Sequence, residues 1–558
     1  MRRLLGVRNC FNSPDDFVIA AILISGFGLR IVGINVGLPD TPDPREVIIA
    51  QEVLNLIHFT APPQTYNWPG TAWFYIIAAV GKLLSIVGLD PTEARVILLA
   101  RCINTLLSTA TLWLTYSIGK HADNRRVGQI AAGLLAISML HATNESRFAL
   151  VDIPATFCVT LFLWRVMRAR VSSTVLTFPT AVWLGVIAGV GCTVKFTTVF
   201  VCLSLFIFIR SEHFYRALAT FIGISILTFT LLCPYWFIDL LSPTWNLFFE
   251  DFWYEATHYH RGHFGLISSA ESGLLQRFAY LWVLLKWGMG LPLALLVAFG
   301  VLHAIISLKR KTNRAPILEG LLLFVIPYLL FIGIHKIKFT RHLLILYPAL
   351  TVLAAIALAS LPSAVGGLFK FVYRSSQHLV EKRPRQHDMF GRWGYGVVTG
   401  VVVLYSFVYT AAFAAVMLTQ STRIAAAEWV AVHVPPEDSI SRAPLILFDW
   451  LLPDLDLETE DEDAKWVLIL VPDLEVFQKH QKQPQHYQNE DWYPLGEIEL
   501  AETLAFYARV LGEESPYELH KTFRCTPKFL GIRISDNRAP FPMRALAHPE
   551  LLLYRRSY

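Results

Sequence analysis

The chain has 558 residues, 54% of them hydrophobic and only 16% charged, with a mean hydropathy of +0.46. A soluble protein of this size would carry roughly 25% charged residues, and many apolar runs here approach or exceed the roughly 18 residues needed to cross a bilayer. A soluble globular enzyme is therefore excluded, and the composition predicts a polytopic α-helical membrane protein. Charge is divided unevenly: from Ser421 onward 23 acidic residues stand against 14 basic ones, and before it 20 acidic against 34 basic. That split predicts a basic membrane domain, residues 1–420, followed by an acidic soluble domain, residues 421–558. The seven cysteines do not form a disulfide framework, because Cys102, Cys158, Cys192, Cys202 and Cys233 lie in apolar runs.

In chain order, MRRLLGVRNCFNSPDDF precedes the first apolar run, and no small-residue cleavage site follows it, so the first span is expected to be retained. Apolar runs predict spans near 17–36, 95–119, 127–143, 150–168, 181–195, 196–210, 216–237, 280–308, 317–334, 343–361 and 395–418, eleven in all. The segment 183–210 could be one long helix or two short ones turning at Lys195. Arg165, Arg168 and Arg170 flank it on one side and Arg210 and Arg216 on the other, and lysine and arginine concentrate on the cytoplasmic face, which favours the hairpin. The N-terminus is then cytoplasmic and the C-terminal domain is exported across the cytoplasmic (inner) membrane. The basic loops 120–126, 309–314 and 370–392 fall inside. The exported side receives 37–94, 144–149, the Lys195 turn, 238–279, 335–342 and the tail.

The outer segments collect ionisable groups. In GLPDTPDPREVIIAQEVLN (37–55), Asp40, Asp43 and Glu46 precede or open a helix, where capping alone is one explanation. Residues 61–84 read as a helix lying in the interface, where Trp and Tyr settle. In HATNESRFALVDIPATF (141–157), Glu145, Arg147 and Asp152 sit at a span boundary, with Pro154 in the first helical turn; capping is again open, but ionisable groups at membrane depth are costly. FFEDFWYEATHYHRGHFG (248–265) carries Glu255, His258, His260 and His263 in a spacing that matches no zinc signature, so a hydrogen-bonding acceptor loop is preferred to a metal site. HKIKFTRH (335–342) places Lys336, Lys338 and Arg341 where positive charge is otherwise scarce, which points to a bound anion; pairing with anionic lipid headgroups is the bland alternative.

Carboxylates (Asp43, Glu46, Asp152) beside cations (Arg147, Lys195, Lys336, Lys338, Arg341) at a membrane surface suit glycosyl transfer from a lipid phosphate. A carboxylate accepts the proton of the attacking hydroxyl, and fixed cations stabilise the departing phosphate. The order of features resembles the GT-C superfamily of integral-membrane glycosyltransferases, in particular the protein O-mannosyltransferase and aminoarabinose transferase group (family 39). TPDPREVIIAQ (41–51) resembles the family's Asp-Glu motif, and NWPGTAWFYIIAAVGKLL (67–84) with ARCINTLLSTATLWLTYSIGK (100–120) its interfacial helix and second span. SRFALVDIPATF (146–157) resembles the second acidic turn, GVGCTVKFTTVF (189–200) the lysine turn, KIKFTRHLLILYPAL (336–350) the basic turn, and TRIAAAEWVAVHVPPEDSI (422–440) the start of the exported domain. One departure stands out: the family places Glu directly after Asp, whereas Pro44 and Arg45 separate Asp43 from Glu46 here.

The resemblance implies inverting transfer from a polyprenyl-phosphate-linked sugar donor to a protein, lipid or glycan acceptor, among membrane lipids and without nucleic acid. It implies Asp43 as general base, with Lys195, Lys336, Lys338 and Arg341 on the lipid phosphate and Asp152 and Arg147 orienting donor or acceptor. A divalent metal is an open cofactor, since members of the family differ in metal dependence. In the tail, RIAAAEWVAVHV and ELAETLAFYARVLGE read as helices, and APLILFDW, AKWVLILVP and KFLGIRIS as strands, giving a small α/β domain. The acidic run 454–465 reads as a solvated loop. The alternatives are a secondary transporter or lipid flippase, whose charges would gather at the midplane, and a non-catalytic envelope scaffold. The chain carries no nucleotide-binding glycine loop, which disfavours an ATP-driven pump.

Overall fold

Proline and short polar side chains start the helices of the first half. A computed structural model describes residues 14–41, 43–63, 70–241, 257, 273–309, 314–374, 384–459, 461, 464–482 and 497–557. The expected acceptor-loop residues Glu255, His258, His260 and His263 lie outside the described residues. Helix α1 (Pro14–Ile31) is followed by α2 (Pro44–His58), with Asp43 as N-cap and Pro44 at its first position, and by α3 (Thr71–Ile86). Thr92 caps α4 (Glu93–Ala122) and Asn124 caps α5 (Arg125–Ala136); the two pack at Gly119 and Gly128, where a Cβ would lie 2.8 and 2.4 Å from the opposite backbone. A short helix α6 (Met139–Ala142) and a 3₁₀ turn (Asn144–Arg147) then lead into α7 (Asp152–Ser172).

The hairpin at Lys195 is present. Helices α8 (Phe178–Val194) and α9 (Phe214–Leu232) run parallel: Gly185 faces Phe221 and Ile224, and Gly189 faces Ser225 and Thr228. The chain therefore returns between them, and the returning limb is a 3₁₀ helix, Phe196–Phe208, rather than an α-helix. A 3₁₀ helix rises about 2.0 Å per residue, so these residues reach about 26 Å, a distance an α-helix of equal length would not span. This limb packs antiparallel to the later helix 315–334, with Phe200 against Tyr328 and Phe331, and Ile207 beside Gly320.

After α10 (Tyr235–Leu241), the expected span 280–308 is broken at Gly290, whose φ of 82° and ψ of 150° suit glycine, into α11 (Leu274–Met289) and α12 (Leu291–Leu308). Helices α13 (Ala315–Ile334), α14 (Tyr347–Arg374, preceded by a 3₁₀ segment, Thr340–Leu346) and α15 (Pro384–Val416) complete the bundle. Among the described residues, six segments are long and apolar enough to cross a membrane: Glu93–Ala122, Phe214–Leu232, Leu291–Leu308, Ala315–Ile334, Thr340–Leu361 and Gly394–Val416. The protein is a multi-pass helical membrane protein.

The tail opens with α16 (Thr422–His433) and builds a five-stranded sheet, order β2-β1-β3-β7-β4, from β1 (Ile440–Arg442), β2 (Glu458–Thr459), β3 (Trp466–Leu470), β4 (Tyr517–Phe523) and β7 (Leu551–Arg556). Strands β1, β2 and β3 pair in parallel, and β7 pairs antiparallel with both β3 and β4. The expected strand APLILFDW does not form. Its backbone instead turns over the buried Asp473, whose carboxylate accepts from Leu447 N–H at 3.2 Å, and pairing is confined to Ile440–Arg442 just before it. KFLGIRIS is a tight hairpin, β5 (Lys528–Phe529) and β6 (Ile532–Arg533), turning at Leu530 and Gly531, both at positive φ. Met139, Tyr409 and Phe413 of the bundle form one apolar cluster with Ala539 and Met543 of the tail, which seats the sheet domain on the end of the bundle carrying the 144–147 turn.

Candidate active site

Three acid–base pairs occupy that end of the bundle. Asp43 caps α2 by accepting from Arg45 N–H at 3.1 Å. The Arg45 guanidinium then grips the same carboxylate in a fork, Nε to Oδ1 at 2.7 Å and Nη2 to Oδ2 at 2.5 Å. Asp43 is 0% exposed, while Arg45 retains 15% of its side-chain surface. Asp152, at the start of α7, accepts from Lys195 Nζ at 2.6 Å, because Lys195 ends α8 in extended conformation and so leaves the helix axis toward it. Lys195, Arg341 and Arg45 all act electrostatically on Asp152. The Asp43–Arg45 pair, the Asp152–Lys195 pair and Arg341 thus form one polar group, assembled from α2, α7, α8 and the 335–342 turn.

Glu46 faces elsewhere. It takes a bidentate grip from Arg101 of α4, Nε to Oε1 at 2.8 Å and Nη2 to Oε2 at 2.5 Å, accepts from Ala149 N–H at 2.5 Å, and receives the Thr41 hydroxyl. Arg101 donates further to the carbonyls of Ile34 and Val36, at 2.9 and 2.8 Å. Both side chains are fully buried. With its oxygens taken, Glu46 ties the first outer loop, α4 and the 144–151 turn together. Arg147 donates to the Leu29 carbonyl at 2.8 Å and lies in the field of Arg101 and Arg30, while its Nε and Nη1 are buried without hydrogen-bond partners among the described residues. Beside it, Arg30 donates to Ser108 Oγ at 2.6 Å and meets His141 Nδ1 at 2.6 Å, a cationic seam in the bundle interior.

The cations of the 335–342 turn divide. Arg341 lies 4.2 Å from the Phe339 ring and within the field of Asp152; Lys336 is half-buried. Lys338 is buried and donates to the His335 carbonyl. Burial, helped by the charge of Arg277, lowers its ammonium to about 8. Helix α3 locks this end: Trp73 Nε1 donates to the Ala149 carbonyl at 2.9 Å, Thr71 Oγ1 to the Leu232 carbonyl at 2.7 Å, and Gly70 lies against the Thr193 carbonyl.

Among the described residues no three His, Cys, Asp or Glu side chains converge as a metal site. Each of the three expected carboxylates already faces a side-chain cation. Sequence reading missed Arg45 and Arg101. A cation in the first turn of α2, opposed by the helix dipole, was the available signal for Arg45, and a lone arginine inside the apolar α4 was the signal for Arg101.

Residues 71–237 match a family model described as dolichyl-phosphate-mannose-protein mannosyltransferase. No curated protein sequence matches the chain. Among solved structures, ArnT from Cupriavidus metallidurans bound to undecaprenyl phosphate superposes with a TM-score of 0.50 at 14% identity, covering 96% of this chain and 97% of that one. The Archaeoglobus fulgidus oligosaccharyltransferase in the apo form gives a TM-score of 0.53 at 13% identity, over 78% of this chain and 63% of that one. AglB from Archaeoglobus fulgidus, in complex with an inhibitory peptide and a dolichol-phosphate, gives 0.50 at 12%, over 77% and 62%. The chain thus spans less than two thirds of the length of the archaeal oligosaccharyltransferase. These likenesses establish the fold: the chain has the architecture of integral-membrane glycosyltransferases of the GT-C type, resembling the mannosyltransferase and ArnT group.

Proposed function

We propose that this protein transfers a sugar from a polyprenyl-phosphate carrier to an acceptor hydroxyl, with inversion at the anomeric carbon, on the exported face of the cytoplasmic membrane. The observation that carries the proposal is the gathering of Asp43, Asp152, Lys195, Arg45 and Arg341 at one end of the bundle. That the ArnT and AglB structures superposed above contain polyprenyl phosphates supports the choice of donor.

In this reading Asp43 takes the proton of the acceptor hydroxyl as its oxygen bonds the anomeric carbon. The bond from that carbon to the phosphate oxygen breaks, and the electron pair leaves with the polyprenyl phosphate. Lys195 and Arg341 neutralise the charge that develops there, in a site where fixed cations act with little screening. Asp152 holds Lys195 in place, and Glu46, with both oxygens taken by Arg101 and Ala149, serves as a positioning residue for the loop that carries Asp43. Lys336 extends the positive surface toward the lipid, Lys338 adds its charge from the buried side of the same turn, and Arg147 holds the second acidic turn against α1. Protein, lipid and glycan hydroxyls are all acceptors this chemistry allows.

The test is release of polyprenyl phosphate from labelled polyprenyl-phosphate sugars by the reconstituted protein, with native membrane extract supplying acceptor. Asp43→Asn should lower turnover about 10²–10⁴-fold, the usual contribution of a general base, and Arg341→Ala should lower it as well. Acceptor-dependent release that is unchanged in both variants would sink the proposal.

A further inference from the structure

Asp43, as the structure holds it, is not ready to act as a base. Oδ1 receives both the backbone N–H and Nε of Arg45, and Oδ2 receives Nη2, so three of about four acceptor positions on the carboxylate are filled by one residue. The carboxylate is wholly excluded from solvent. With the remaining position shut off from solvent beneath the guanidinium, opening the fork is what gives an acceptor hydroxyl its way to the carboxylate.

The first turn of α2 opposes the charge of Arg45. Arg45 occupies the second position of α2, where the exposed N–H groups of the first turn repel a cation. It is partly exposed, and its charge already reaches Asp152 in the neighbouring acid–base pair. A guanidinium fork fits a phosphate as well as it fits a carboxylate. The insertion of Pro44 and Arg45 between the two acids is also the point at which this chain departs from the Asp-Glu pattern it resembles.

We infer that Arg45 is a latch on the base: it closes Asp43 until a lipid-linked phosphate arrives, then transfers its fork to that phosphate and leaves Asp43 open to the acceptor hydroxyl. The exchange makes donor binding a precondition for acceptor activation and denies water a free carboxylate beforehand. Arg45 thereby becomes a phosphate ligand that the Asp-Glu pattern alone does not supply. This inference rests on the proposed donor chemistry.

The test uses the full-length protein in nanodiscs and polyprenyl phosphate as the probe. Lipid binding is measured by titration, and exposure of Asp43 by labelling with a water-soluble carbodiimide and an amine, quantified by mass spectrometry. In the wild type, labelling of Asp43 should be low and should rise about tenfold as the lipid saturates, since a hydrogen bond to a charged group is worth a factor of that order. In Arg45→Ala, labelling should be high from the start and indifferent to lipid, and the lipid should bind at least about tenfold more weakly. Arg45→Lys, which keeps the charge without the fork, should fall between them. Lipid that binds the wild type without changing Asp43 labelling overturns the latch and leaves the transferase reading standing. Failure of polyprenyl phosphate to bind at all removes both.

Discussion

Glu46 and Arg101 show what a buried ion pair does at single-residue scale. Both side chains are inaccessible, and Glu46 also receives Ala149 N–H, so losing one partner strands a charge in the bundle. Glu46→Gln and Arg101→Met should each cost about 3–5 kcal/mol, and the double variant should recover part of that, as read from thermal unfolding in a double-mutant cycle. Lys338 makes a different prediction. Its ammonium is lowered from the ordinary lysine range to about 8 by burial and then by Arg277. Between that value and the ordinary range the unfolded chain binds the extra proton, so the stability contributed at this site rises with pH across that window. Binding of polyprenyl phosphate should move the other way, weakening as pH rises through about 8. Lys338→Arg, which stays charged, should remove that step from the pH profile of lipid binding.

At the scale of elements, the site depends on how closely α3 approaches the end of α8. A Cβ on Gly70 would lie 1.7 Å from the Thr193 carbonyl, two residues before Lys195. Gly70→Ala should therefore push α3 off the Lys195 turn, costing about 1–3 kcal/mol and lowering turnover. Gly28→Ala, with nothing among the described residues within 4 Å of its new methyl, should be neutral or slightly stabilising. Unfolding temperature and turnover measured on both variants check this. The Lys195 hairpin was legible from the basic flanks of 183–210 because the charge bias acts on sequence alone. The 3₁₀ form of its second limb was not, since local periodicity does not reveal the distance a limb must cover. The break at Gly290 was likewise hidden in a continuous apolar run.

The whole molecule has a bundle core and separate apolar cores in the tail, joined by the cluster of Met139, Tyr409, Phe413, Ala539 and Met543. The tail carries its own pH sensitivity. Burial holds the Asp473 carboxyl well above the usual carboxylate range, so the folded tail binds a proton that the unfolded chain releases. Its stability should fall as pH rises from the ordinary carboxylate range through the raised value. Asp473→Asn should flatten that dependence, as followed by the unfolding of the tail at a series of pH values.

Composition, hydropathy and the sidedness of lysine and arginine by themselves determined that this is a multi-pass membrane chain with an acidic tail. They also marked the acidic turns, Lys195 and the 335–342 turn as candidates for its chemistry, because burying apolar area and excluding charge from lipid act on each segment separately. Pairing was decided only by the tertiary structure. Asp43 and Glu46 look equivalent in the first loop, yet one meets Arg45 and the other Arg101, from a helix 55 positions away in sequence. Lys195 and Arg147 look equally suited to a phosphate, yet Lys195 pairs with Asp152 while Arg147 turns to the Leu29 carbonyl. An ion pair needs two groups within a few ångströms, and that distance is set by helix packing, which no local pattern encodes.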